Sequence, residues 1–362
     1  MQISCRKLGF KMEKWPLVSL IILNYNGLKH LETCLSSIFK TNYPQFEVIF
    51  VDNGSTDGSV EFVKRNYLAA RVLQKKCNAG VSAGYNLGII NAKGKYVATL
   101  NNDIEVDPNW LLPLIAYMEI HRDVAAIDAK YLNYYDRRIF DISSAAGRYI
   151  DYLANPITRS ACEEDKGQYN DVSRVFYSCT VYRRDAVMEA GLFDDDFFFG
   201  YEDTDLGWRL NLRGYRVMYV PTSIIYHKGG KTKFQNPGDV NSKPKLKPSF
   251  YFLNKRNKLL TLIKNYSLNT LLCLLPLILF EHVSYVFYWA IKGEKQYSVE
   301  SLQALLWIVK NFKKVWTKHV QVQCLRRVKD SEIISLMKPY FGDPVKLIKL
   351  WLMKNRTFER IF

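Results

Sequence analysis

Apolar and polar positions follow two rhythms over the first 120 residues. Residues 17–23, LVSLIIL, form a short apolar block that stops at Asn24-Tyr25-Asn26-Gly27, the pattern of a buried strand running into a turn. From 28 to 40, Leu28, Leu31, Leu35, Ile38 and Phe39 fall on one face of a helix. The alternation repeats, with strands at 46–52 (FEVIFVD), 70–74 (ARVLQ) and 96–100 (YVATL) and helices at 56–66, 80–92 and 108–121. This order predicts an α/β domain: a mostly parallel sheet flanked by helices on both faces. Ligands of such sheets bind at the carboxyl ends of the strands.

The rhythm weakens between 124 and 220. A few strands are expected there, with helices near 184–190 and 203–213 and a strand over 216–220 (RVMYV). Residues 229–250 are polar and rich in Gly, Pro and Lys, which predicts a mobile loop or linker able to close over a bound ligand. Past them the chain becomes helical, apolar and basic. Three parts follow: an N-terminal extension over 1–15, the α/β domain over 16–235, and a linker with a C-terminal helical region over 236–362.

Charge narrows the partners. With 51 Lys and Arg against 35 Asp and Glu the formal net charge is +16, a surface that attracts nucleic acid, anionic lipid or phosphorylated substrates. No RRM, zinc-finger or helix-turn-helix signature is present, so a nucleic-acid protein is the weaker reading. No GxGxxG follows the first strand and no GxxxxGK[ST] occurs, which argues against dinucleotide and P-loop chemistry. The seven cysteines form no CxxC pair, so neither a disulfide framework nor a zinc site is expected, and a reducing cytosolic setting fits best. No long apolar run precedes the first strand, so no secretory leader is expected.

Candidate chemistry gathers at the strand ends. The first strand delivers Asn24, Tyr25 and Asn26, the second delivers Asp52, and the fourth delivers Asn101, Asn102 and Asp103. Any one of these loops could merely make turns and cap helices; three at one sheet edge point to a site. Asp52 can accept from a nucleobase N–H or a ribose hydroxyl. Asp103 can hold a hard divalent cation whose other positions are filled by phosphate and water. Farther on, FFFGYEDTDLGWRL (197–210) sets Glu202, Asp203 and Asp205 directly behind aromatic residues, a setting that tunes a carboxylate into a base.

The ordered motifs VSLIILNYNG, VIFVDNGSTDGS, NAGVSAGYNLG, LNNDIEVDPNWL and AGLFDDDFFFGYEDTDLGWRL resemble those of family 2 inverting glycosyltransferases with the GT-A fold, in particular the rhamnosyltransferase-like branch that extends lipid-linked glycans. The resemblance covers roughly residues 15–230. It implies that Asn24, Tyr25, Asn26 and Asp52 hold the base and ribose of a nucleotide-sugar donor, with Asn78 and Gly80 lining the same pocket. The family's Asp-x-Asp falls on Asn101-Asn102-Asp103, with a neutral Asn at its first position and Asp103 left as ligand of Mg2+ or Mn2+. His227 would complete the metal's coordination and Lys228 would steady the diphosphate. Asp203 would be the catalytic base, with Glu202 and Asp205 on the acceptor. Asp205 can equally serve the helix dipole. Arg209 could face phosphate or solvent, and Phe197–Phe199 could be core or groove wall. Asp103 and Asp203 must then meet across one cavity. A polyprenyl-phosphate sugar synthase is the neighbouring alternative.

Residues 271–291 are long enough to span a bilayer. Twelve Leu, Ile, Phe and Val contribute roughly −5 kcal/mol to insertion and a central charge, here Glu281, costs about +3. The following segment, 292–362, carries 15 Lys and Arg against 6 Asp and Glu, which disfavours sending it across. A re-entrant or interfacial pair of helices is expected, with 301–316 as an interfacial helix on the anionic cytoplasmic face of the membrane. A helix packed on the catalytic domain, or a dimer interface, remains the alternative. The expected partners are thus a nucleotide sugar, a polyprenyl-linked glycan and an anionic membrane surface.

Overall fold

The computed structural model describes residues 14–141, 146–160, 162–178, 180–229 and 247–339. Most of the expected N-terminal extension, most of the 229–250 loop and the last 23 residues lie outside that set.

The chain opens with the alternation its sequence predicts: β1 (Val18–Asn24), α1 (Leu28–Phe39), β2 (Phe46–Asp52), α2 (Ser59–Asn66), β3 (Ala70–Gln74), α3 (Gly80–Asn91), β4 (Tyr96–Asn101). There follow β5 (Ile104–Val106), α4 (Leu111–Ile120), β6 (Val124–Asn133), β7 (Arg148–Ile150), β8 (Pro156–Thr158), β9 (Ser173–Val175), β10 (Val181–Arg183), α5 (Arg184–Glu189), α6 (Glu202–Leu212) and β11 (Arg216–His227). The C-terminal helices are α7 (Pro248–Asn265), α8 (Leu268–Ile291), α9 (Lys295–Lys310), α10 (Phe312–Cys324) and α11 (Asp330–Leu336).

The main sheet has the order β3-β2-β1-β4-β10-β6-β11-β5, with β9 pairing β11. Strands β1 to β4 are parallel, β6 and β11 are parallel, and β10, β5 and β9 run antiparallel to their neighbours. Every residue of β1 is buried, which is why it reads as an uninterrupted apolar run. In register Asn24 lies beside Asp52, and Leu23 beside Asn101, so three polar loops leave one sheet edge together.

Two elements differ from their expected bounds. Strand β11 runs past the expected end at Val220, although Pro221 lacks a ladder donor. A register shift between Val220 and Ile224 absorbs the proline and carries the strand on to His227. The expected interfacial helix over 301–316 is two helices, α9 and α10, broken at Asn311.

The domain boundary expected at 236 does not separate two cores. One apolar cluster joins Ile150, Phe176, Phe197, Tyr201 and Trp208 to Leu259, Leu260 and Tyr266 of α7 and to Ile278, Ile308 and Val315 beyond it. Helix α7 is buried along most of its length, including Lys255, Arg256, Asn257, Lys258 and Lys264. Such charges stay inside only with partners. Lys258 pairs with Glu281, and Lys264 with Asp194 and Asp205. The one charge inside the apolar run of α8 therefore turns toward the protein.

Candidate active site

The sheet edge supplies the first wall. Asn24 is fully buried and its side chain is engaged within the loops: Nδ2 donates to Asp52 Oδ1 (3.1 Å) and Ser55 Oγ (3.0 Å), and Oδ1 accepts from Asn102 Nδ2 (2.6 Å). Asp52, also buried, accepts from the amides of Gly54 and Ser55. Asn24 and Asp52 thus brace the loops from beneath, while Tyr25, 48% exposed, stands free above them. Asn26 adopts φ 49° and accepts from Thr56 N. Gly27 is held to glycine by crowding: a Cβ there would lie 1.9 Å from Asn102 Nδ2.

Asn78 caps the start of α3 by accepting from Gly80 N (3.0 Å) and from Asn53 Nδ2 (2.9 Å). Gly80 has φ 87°, and a Cβ on it would meet Phe198 O at 2.5 Å. The asparagine at the first position of the Asp-x-Asp-like triplet, Asn101, accepts from Tyr85 OH at 2.9 Å.

Asp103 and His227 meet because β5 pairs antiparallel with β11, setting His227 opposite Ile104. Asp103 Oδ1 lies 3.4 Å from His227 Nε2, and His227 Nδ1 lies 3.0 Å from Asp141 Oδ2. Burial pushes the Asp103 carboxyl up, but the His227 hydrogen bond and charge outweigh it and hold the group below the usual carboxylate range. Burial would lower the His227 pKa, yet its two carboxylates lift it to about 10. The ring is therefore a proton bridge between Asp103 and Asp141 unless a cation replaces the proton.

The pair fits a divalent cation. Two ligands of one Mg2+ at about 2.1 Å in octahedral geometry stand about 3 Å apart, close to the Asp103–His227 separation. Asp141 orients the imidazole from behind, as carboxylates behind metal-bound histidines do. Among the described residues no three His, Cys, Asp or Glu side chains are arranged to hold one metal ion, so a cation on Asp103 and His227 would take its other ligands from phosphate oxygens and water. Lys228 donates its amide to Asp103 O and lays its ammonium over the Tyr134 ring at 4.6 Å. His30 of α1 also lies within electrostatic reach of Asp103 and Lys228.

The opposite wall is the start of α6. Asp203 Oδ1 accepts from Thr204 N (2.7 Å), and Oδ2 lies 3.3 Å from Arg148 Nη1. Arg148 is itself buried between Asp203 and Asp128, with its guanidinium over Tyr131 and Tyr177. Burial raises the Asp203 pKa and the Arg148 charge opposes it, with a net rise. A quarter of the Asp203 side chain stays open to solvent, so a substrate hydroxyl can reach it.

Asn101, His227, Glu202 and Asp203 line one cavity of about 200 Å³, closed by Tyr85, Tyr131, Arg148, Tyr182, Phe193 and Phe199. Asp103 does not line the cavity itself; it stands behind His227, 3.4 Å from its Nε2. Phe197 is core and Phe199 is wall. A larger cavity of about 580 Å³ lies beside the Ala190–Asp195 segment, but its Lys264 and Lys318 are already paired with Asp194, Asp205 and Asp196.

Asp205 and Arg209 face away from the cavity. Asp205 is fully buried, pairs with Arg209 at 2.8 Å and Lys264 at 3.0 Å, and accepts from Asn265 at 2.9 Å. Arg209 points to Asp205 and to the carbonyl of Ala190, neither to phosphate nor to solvent. Both belong to the joint between α6 and α7, because a helix's successive side chains face different sides. Breaking a buried pair strands its partners, so Asp205→Asn is expected to cost about 3–5 kcal/mol of stability. Chemical denaturation checks this, with the nucleotide affinity of the folded fraction unchanged.

Arg148 and Asp141 were not singled out from the sequence. Asp141 had a readable signal: it follows Ile139-Phe140 as Asp52 follows an apolar strand. Arg148, in Gly-Arg-Tyr-Ile, had none.

Residues 19–191 match the family model described as glycosyl transferase family 2. An uncharacterized glycosyltransferase of Haemophilus influenzae is 26% identical over 255 residues, covering 67% of this chain and 76% of that protein. A poly-beta-1,6-N-acetyl-D-glucosamine synthase of Staphylococcus aureus is 29% identical over 229 residues, covering 61% of this chain and 52% of the synthase, about half its length. Among solved structures, a mannosyltransferase from Pyrobaculum calidifontis, in complex with GDP-Man and Mn2+, superposes with TM-score 0.50 at 17% identity over 82% of this chain and 76% of that one. GalNAc-T7 with UDP, GalNAc and Mn2+ gives TM-score 0.50 at 18% identity, over 66% and 48%. Residues 19–191, a little under half of the chain, are thus similar to family 2 glycosyltransferases, and the fold is GT-A. The matched segment ends before Asp203.

Proposed function

We propose that this protein transfers a sugar, with inversion, from a nucleoside-diphosphate sugar to a hydroxyl of a polyprenyl-linked glycan at the cytoplasmic face of a membrane. The observation that carries the reading is the shared cavity: Asp203 and His227, the neighbour of Asp103, both line it. In the reaction the acceptor oxygen bonds to the anomeric carbon as the bond to the diphosphate oxygen breaks. Asp203 takes the hydroxyl proton. A positioned base contributes roughly 10²–10⁴-fold to such a step. Glu202, on the same cavity, orients the acceptor. Tyr25, Asn26, Asn78 and Gly80 frame the donor's nucleoside, with Asn24 and Asp52 fixing their loops. Asp103 and His227 would hold Mg2+ or Mn2+, which offsets the charge gained by the leaving diphosphate. Lys228 adds a cation beside them. The glycan-synthase relative supports a hydroxyl acceptor, as does Asp203, since a phosphate acceptor needs no base. The donor sugar we expect is rhamnose-like.

The α8–α9 hairpin supports placement on a membrane. Between Leu272 and Ile291 every exposed position of α8 is apolar, and Val299, Leu302, Leu306 and Val309 continue the surface on α9. Exposed Lys292, Lys295, Lys310, Lys313 and Lys314 border it. Apolar side chains rimmed by lysine suit an anionic lipid surface. Helix α8 is long and apolar enough to cross a membrane, but Glu281 and Lys258 pair on its inner side, which favours a helix lying flat.

The test is a panel of nucleotide sugars with Mg2+ or Mn2+, read by thermal shift and then by transfer to a polyprenyl-linked acceptor on vesicles. One donor is expected to stabilise the protein and to be consumed. No transfer or donor hydrolysis by folded protein overturns the reading. Co-sedimentation is expected with anionic vesicles and to be lost in Leu279→Glu/Val283→Glu; equal binding of that variant removes the hairpin from the membrane.

A further inference from the structure

Directly before the Glu202–Asp203 pair lies a segment, Phe197–Tyr201, whose backbone is unusual. Phe198 (φ 56°), Gly200 (φ 82°) and Tyr201 (φ 70°) are all left-handed, and two of them are aromatic residues for which that conformation is unfavourable. The next two residues are Glu202 and Asp203. Such a segment keeps its shape only if its surroundings impose it.

The restraint comes from outside the segment. Asn257 of α7, fully buried, donates its side-chain amide to three of its carbonyls: Phe197 O at 2.8 Å, Phe199 O at 3.0 Å and Gly200 O at 2.7 Å. Arg256 donates to Phe197 O at 3.3 Å and to Asp196 O. It also donates from Nε (2.9 Å) and Nη2 (2.7 Å) to Asn257 Oδ1, which settles which end of the amide faces the segment. The remaining carbonyl, Phe198 O, accepts from Val81 N at 2.5 Å in the first turn of α3, the helix on the donor side. All four carbonyls from 197 to 200 are thus gripped, three of them by one side chain.

We infer that Asn257, oriented by Arg256, is a positioning residue for the Glu202–Asp203 pair, and that it sets the spacing between that pair and the donor-side helix α3. The C-terminal helices thereby complete an active site that the family 2 match, ending at residue 191, does not contain. Arg256 is in turn stacked on Trp307 of α9 at 4.9 Å, so the clamp is seated on the helical region. This inference rests on the proposed sugar transfer for its catalytic part.

The test uses the full chain carrying Asn257→Asp, which keeps the size of the side chain but turns its donor toward three carbonyls into an acceptor. Amide hydrogen exchange in peptides covering 196–206 is expected to speed up at least tenfold. In the same variant kcat per folded molecule is expected to fall at least thirtyfold with the nucleotide Kd near that of the parent, while the melting temperature drops because the new carboxylate faces carbonyl oxygens in a buried site. Arg256→Lys, which keeps the charge but loses the two-pronged grip on Asn257, is expected to fall between and substitutes if Asn257→Asp does not fold. Thr261→Val, on α7 away from the segment, is expected to change none of these. Unaltered exchange at 196–206 overturns the inference. So does an equal fall of kcat and nucleotide affinity in the folded fraction, the mark of a scaffold residue. A parent protein that transfers no sugar defeats the proposed function instead, and the exchange measurement still decides whether Asn257 holds the segment.

Discussion

Replacing Asp203 by asparagine is expected to lower kcat by about 10³-fold while leaving nucleotide affinity within about twofold, the loss typical of removing a positioned general base. The split follows from geometry. Asp203 lies across the cavity from Asn101 and His227, and contacts Thr204 and Arg148 rather than the loops that frame the nucleoside. Asparagine keeps the size and can still accept from Thr204 N, so α6 should start where it does now. Steady-state kinetics with the best donor, together with calorimetric binding of its nucleotide, check both halves. Full activity in the variant removes Asp203 from the role.

The pH profile gives the same claim a second reading. Burial raises the Asp203 pKa and Arg148 pulls it down. A base works only when ionised, so activity is present above this pKa and falls as pH drops through it. Arg148→Gln removes the lowering influence, and the acid limb of kcat/KM should then move to higher pH. A limb that stays in place assigns it to another group.

The second large effect is expected at Asp103. Asp103→Asn should reduce metal-supported turnover by at least about 10²-fold, the range for removing a principal stabiliser of leaving-group charge. Unlike Asp203→Asn, it should also abolish the gain in nucleotide affinity on adding Mg2+ or Mn2+. Asp141→Asn should act more mildly, weakening metal affinity by about 10–100-fold, because it touches only the far side of the imidazole. Titration of nucleotide binding with and without metal separates the three variants. If Asp103→Asn binds nucleotide with undiminished metal dependence, the cation is held elsewhere.

Much of this site was legible along the chain. Strands β1, β2 and β4 are buried on both faces, so their apolar runs are continuous and their ends fall where Asn24, Asp52 and Asn101 stand. A residue at the end of a parallel strand is placed by local sequence and by the rule for open sheets. That is enough to aim three loops at one edge before any contact is known.

What stayed illegible depends on partners distant in sequence. Asp203 and Asp205 sit two positions apart with similar neighbours, yet one opens on the cavity and the other is locked to Lys264, 59 residues away. His227 is fixed by Asp141 across 86 positions, and Asp203 by Arg148 across 55. Arg209 could face phosphate or solvent by sequence, yet it turns to Asp205 and the carbonyl of Ala190. Glu281 stood out in the sequence as a charge opposing membrane insertion, and Lys258, 23 positions earlier, meets it inside the protein. A period of 2 or 3.6 reports which face of an element is apolar, and so the sequence by itself determined the layers, the strand ends and the class of chemistry. The partner of a buried charge is chosen by three-dimensional packing, because only a group within a few ångströms can replace lost water. The tertiary structure alone therefore decided which carboxylate can act and which one holds the helices together.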